Sequence, residues 1–145
     1  MKTKLTTLLL TLTAAFAFGH GGVELGPNGG RILEFSKNET MHGEVTVKDG
    51  QFHIALLDKD MKPVAVADQT LAATTGDRDN PQKLEVTKTD KGFSLPVVKE
   101  GEFLIVQFKA DAKAKAVTAR FAYDTSNCDA CNAPEWICKC EAEKK

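Results

Sequence analysis

The sequence predicts an all-β chain, an immunoglobulin-like β-sandwich of seven to nine short antiparallel strands with a cysteine-rich C-terminal tail. Three observations carry this reading. Short apolar runs alternate with Gly, Pro, Asn and Asp turn residues from residue 31 to residue 124. An Asp49-Gly50 pair separates two alternating runs, and such a pair is among the strongest local hairpin signals. No segment repeats its apolar residues at a convincing helical period. A small barrel or a cupredoxin-like arrangement is the alternative packing of the same strands.

The chain opens Met1-Lys2-Thr3-Lys4, runs through an apolar stretch and reaches small residues near Gly19. A basic start, a short apolar core and a small-x-small site make a secretory signal peptide over residues 1–19. The apolar stretch is too short and too rich in Thr for the roughly 20 residues of a membrane span. Cleavage after Ala17 leaves Phe18-Gly19-His20 as the new terminus. Its amine, two amides and imidazole can wrap Cu(II) or Ni(II) in a plane. Cleavage after Gly19 leaves His20 first, whose amine and ring nitrogen also favour copper. Either way the expected setting is the periplasm or the outside of a bacterium.

Without Lys2 and Lys4, 17 basic residues stand against 20 acidic ones, a balance of −3 with no basic cluster. That argues against nucleic acid as a partner. What remains is one ordinary domain of about 100 residues and a short tail.

Residues 20–30 read as a flexible, Gly-rich lead-in with a turn at Gly26-Pro27-Asn28-Gly29. It carries neither a phosphate-loop nor a dinucleotide fingerprint. The sandwich then spans 31–124. Its strands are expected at 31–35, 41–48, 51–58, 63–67, 69–74, 83–88, 92–98, 102–109 and 116–123, with an exposed loop at 76–82. Short turns are possible at 70–75 and 110–116. The Asp49-Gly50 hairpin fixes a register: Thr46 faces His53, Glu44 faces Ala55 and His42 faces Leu57. Val45, Val47, Phe52 and Ile54 then share the buried face, and His42, Glu44 and His53 the outer one. His42 lies four residues from the partner of His53, about 13 Å at the usual strand rise, so one metal cannot use both. His42 with Glu44, or with His20 on its lead, is the more credible ligand pair. Two solvent-facing histidines on a strand are the plain alternative.

Residues 125–145 hold every cysteine, as Cys128-x2-Cys131-x6-Cys138-x-Cys140. Three chemistries fit. Four thiolates suit Zn(II) or Cu(I): Cys-x2-Cys is a common first half of a zinc site, and Cys-x-Cys is at home in Cu(I) and thiolate clusters. Two disulfides suit an oxidising compartment, in a crossed or nested pairing because a Cys138–Cys140 bridge is strained. A redox-active Cys128–Cys131 pair lacks the helix N-terminus that usually activates one. Trp136, between the cysteine pairs, either shields a metal or packs the tail.

His20, Gly26-Pro27-Asn28-Gly29-Gly30-Arg31, Leu33-Glu34 and His42-x-Glu44-Val45 together form a pattern. It is similar to the N-terminal portion of periplasmic adaptor subunits of heavy-metal efflux pumps, and to small exported proteins sharing that segment. The resemblance covers about residues 20–66. It implies a periplasmic setting linked to metal handling and carries over no ligand set. The given sequence shows no helical hairpin or lipoyl-like region of the kind an adaptor needs, so it is not expected to be the adaptor itself.

No nucleophile elbow, triad or paired catalytic carboxylate stands out, so an enzyme is not expected. The reading is a periplasmic carrier or buffer of copper, or of zinc, or an accessory to heavy-metal efflux. Its candidate ligands are Cys128, Cys131, Cys138, Cys140, His20, His42 and Glu44, and an efflux component is a possible partner. The alternative is an exported structural or protein-interaction sandwich whose tail is stapled by two disulfides.

Overall fold

The computed structural model describes residues 23–140, so the expected leader and His20 lie outside the described residues. Ten strands form: β1 (Arg31–Glu34), β2 (Met41–Lys48), β3 (Gln51–Asp58), β4 (Pro63–Val64), β5 (Thr70–Thr75), β6 (Gln82–Leu84), β7 (Thr87–Thr89), β8 (Gly92–Pro96), β9 (Phe103–Lys109) and β10 (Val117–Ala122). One sheet runs β1-β2-β3-β8-β7, with β4 beside the far end of β3; the other runs β10-β9-β5-β6. All pairings are antiparallel. With β2 as strand A, the two orders read A-B-E-D and G-F-C-C′, the immunoglobulin arrangement. Strand β1 is an addition outside it.

The β2–β3 hairpin has the expected register, with His42 opposite Leu57, Glu44 opposite Ala55 and Thr46 opposite His53. Asp49 and Gly50 both take positive φ, as a two-residue turn matched to strand twist requires. Two local expectations need correction. Val47 is 39% exposed while its partner Phe52 is fully buried. Phe121, Tyr123 and Trp136 cover Phe52, and that cover does not extend one strand outward to Val47. The expected strand at 83–88 is two strands, because the chain crosses from one sheet to the other between Leu84 and Thr87.

The core lies between the sheets. Phe35 stacks on Phe108 with centroids 4.5 Å apart, and Val45, Phe52, Ile54, Leu104 and Val106 fill the centre. Gly43 belongs to this packing: a Cβ there would stand inside the Phe35 ring. At about 25 cal/mol per Å² of apolar surface, a stacked pair of rings is a large share of a small core's driving force.

The lead-in is joined to the sheet from Glu24 onward. Leu25 bridges Arg31, Ile32 N–H donates to the Glu24 carbonyl, and Gly26 and Gly30 close the turn between them. Replacing Gly43 with Ala is expected to cost about 1–3 kcal/mol in urea unfolding, because the Phe35 ring must leave its stack. An unchanged midpoint would show that the ring has room to move.

Candidate functional site: a four-cysteine centre in the tail

The tail is positioned by one indole. Trp136 is buried at the open end of the sandwich, stacked on Phe121 at 5.6 Å and edge-on to Tyr123 at 5.6 Å. Its backbone N–H donates to the Asp124 carbonyl, and its own carbonyl accepts from the Arg31 guanidinium at 2.7 Å. The same guanidinium lies over the Phe121 ring at 5.2 Å. Of the two uses expected for Trp136, its packing contacts show that it docks the tail. Arg31 has no signature in the sequence beyond its place after Gly29-Gly30; only the fold brings it to residue 136.

Two local structures present the cysteines on either side of that anchor. Asn127 and Pro134 bridge, and between them the chain turns: Asn132 N–H donates to the Cys128 carbonyl and Cys128 N–H to that of Ala133. Asn132 takes φ +57°, a conformation Asn tolerates better than most residues. This turn holds Cys128 and Cys131. A single 3-10 turn, Glu135–Ile137, delivers Cys138 in extended backbone. Extended chain sends alternate side chains the same way, so Cys-x-Cys puts Cys138 and Cys140 on one side. In a strand-like segment the Cys-x-Cys spacing is therefore enough to turn both thiols toward one point.

The four Sγ atoms lie within 4.8 Å of one another. Cys131 Sγ is 3.4 Å from Cys138 Sγ, and the Cys140 N–H points to Cys138 Sγ at 3.3 Å. Sulfurs 2.3 Å from one tetrahedral ion sit roughly 3.8 Å apart, so the cluster matches a four-thiolate centre with small adjustment. All four are free thiols; Cys128 and Cys138 are buried, and Cys131 and Cys140 are exposed.

Ionisation is shared unevenly. The Ala133 N–H, then the Cys138 and Cys140 thiols, bring Cys131 down to about 7. Cys138 is pushed up to about 12, first by sharing its hydrogen with Cys128 and then by burial. Cys140 is raised too, chiefly by Cys131. Four thiols this close cannot all ionise without a cation among them. A metal ion removes that obstacle and releases the protons, so its hold strengthens as pH rises.

The candidate ligands outside the tail are not gathered here. Glu44 and His42 are on the outer face, but neither is solvent-facing: they are 1% and 5% exposed. The Glu44 carboxylate accepts the Asn28 N–H at 2.7 Å, the Asn28 side-chain amide at 2.8 Å and the Gly30 N–H at 3.0 Å. Its oxygens are committed to holding the lead-in turn. His42 instead faces Glu34 and the Asp58 carbonyl. His53 is exposed and beyond reach of His42, as the register predicts.

Comparison with protein-family models, curated proteins and solved structures returns no match to this chain.

Iodoacetamide added to the reduced, metal-free protein should alkylate Cys131 first, with a rate rising through about pH 7, and Cys138 last. Equal rates at the four sulfurs would contradict the uneven sharing. Glu44→Ala should cost about 2–4 kcal/mol in denaturant unfolding, since it strands the buried Gly30 N–H and releases Asn28. A cost below about 1 kcal/mol would mean that water replaces the carboxylate freely.

Proposed function

We propose that this protein is an exported metal-binding protein that holds one soft ion in the Cys128, Cys131, Cys138, Cys140 centre. The observation that carries the reading is the convergence of four sulfurs within 4.8 Å on a tail docked by Trp136. A four-thiolate shell suits Zn(II), and soft thiolates also suit Cu(I). Two of the ligands are exposed, so a partner's thiols can reach the ion and take it by ligand exchange. That supports a carrier or buffer rather than an enzyme. The leader pattern supports a periplasmic or secreted location, and the resemblance of residues 20–66 to efflux-adaptor segments is the ground for proposing service to heavy-metal efflux. Among the described residues, no helix is long and apolar enough to cross a membrane.

A second reading has an observation of its own. Cys131 and Cys138 are already 3.4 Å apart, so a nested pairing, Cys131–Cys138 with Cys128–Cys140, needs only small movements. In an oxidising compartment that pairing would staple the tail and leave an interaction domain.

The intact mass of protein exported by its own leader, recorded under native and then denaturing conditions, separates them. The metal reading expects one ion per chain and four reduced cysteines, with the ion lost on Cys138→Ser and on acidification. A chain four hydrogens light and without metal overturns it and establishes the disulfides.

A further inference from the structure

Away from the tail, the edge of the first sheet holds a second set of ligand atoms. β1 and β2 pair so that Glu34 stands directly opposite His42. Glu34 Oε2 lies 3.3 Å from His42 Nε2. The other ring nitrogen, Nδ1, lies 3.3 Å from the Asp58 carbonyl. That carbonyl is held in place by the turn it begins: Asp58 N–H donates to the Lys62 carbonyl, and the Asp58 carboxylate accepts the N–H groups of Asp60 and Lys62.

The imidazole therefore sits between two acceptors with its side chain 6% exposed. A neutral imidazole has one N–H to give. If it goes to the Asp58 carbonyl, the Nε2 lone pair is aimed at a carboxylate. A metal ion between them would bind both; the other tautomer gives the hydrogen to Glu34 and leaves Nδ1 facing the Asp58 carbonyl.

The geometry fits the metal. A nitrogen and an oxygen each 2.0–2.1 Å from one tetrahedral ion sit roughly 3.3 Å apart. A metal-bound histidine almost always gives its other N–H to a carbonyl or carboxylate, the role the Asp58 carbonyl fills here. Both ligands project from paired strands, which hold them more firmly than loops would. The Glu34 side chain is 44% exposed, which leaves an entry path and room for water in the remaining positions.

We propose that His42 Nε2 and Glu34 Oε2 form a second metal site, for a borderline divalent ion such as Zn(II). It is separate from the cysteines and does not depend on how they are used. Its donors are nitrogen and oxygen where the tail offers only sulfur, so the two sites prefer ions of different softness.

The test uses the full exported chain with the tail first given one equivalent of Zn(II). A second equivalent is titrated in while the histidine ring resonances are followed by NMR. The His42 ring should shift to a metal-bound position and keep its Nδ1 proton. Glu34→Gln should weaken this second event about tenfold or more, and His42→Asn should abolish it. Glu34 is half-exposed, so its variant keeps the test decisive if His42→Asn does not fold. If the tail is disulfide-bonded, the first equivalent goes directly to His42, and failure of the tail reading stays distinguishable from failure of this one. A His42 ring indifferent to Zn(II), or a Glu34→Gln protein that binds like the parent, overturns the proposal and leaves the His42–Glu34 pair as a packing contact between strands.

Discussion

The contact of Trp136 with Phe52, Phe121 and Tyr123 is the constraint on which the rest of the tail depends. A 16-residue extension such as 125–140 contains too few apolar side chains to fold by itself. It takes its order from a core it did not build. One indole seals the open end of the sandwich, and the Arg31 guanidinium and the Asp124 carbonyl hold its backbone on either side. Two cysteines precede that anchor and two follow it, so a fixed indole brings the pairs together. Losing a buried Trp from a core commonly costs about 3–5 kcal/mol, and here the loss would also separate the two halves of the cysteine cluster.

The outer face of the first sheet shows two polar groups put to opposite uses. Glu44 is buried with donors around its carboxylate, so it locks the 26–30 turn onto the strand. His42, two residues before it on the same face, has acceptors at both ring nitrogens. The first arrangement is complete in itself, and the second leaves one ring nitrogen facing an acceptor it cannot donate to while the ring is neutral. The sequence pairs these residues as His-x-Glu, which suggests joint ligation. In the fold, the strand pairing gives His42 to Glu34, while the turn takes Glu44.

What could be read in the sequence was what depends on neighbours along the chain. Asp49-Gly50 dictated a hairpin and its register because only certain residues tolerate positive φ at both positions. Val117, Ala119, Phe121 and Tyr123 alternate with Thr118, Arg120 and Ala122, the period of a half-buried strand, because side chains in a strand alternate sides. Burial itself was less legible. Val47 has the right parity for the core and is exposed, because parity says which way a side chain points and not whether anything covers it. Glu44 and His42 have the wrong parity and are buried, because the lead-in and the β3–β4 turn fold over them.

The sequence by itself determined the fold class, the hairpin and the confinement of every cysteine to the tail, since turn chemistry, period and composition are local properties. Only the tertiary structure decided that the four sulfurs converge, that Arg31 clasps Trp136 and that Glu34 is the partner of His42. Each of these joins residues whose meeting depends on sheet packing and strand pairing, and beyond a tight turn such as Asp49-Gly50 spacing along the chain does not encode which strands lie side by side.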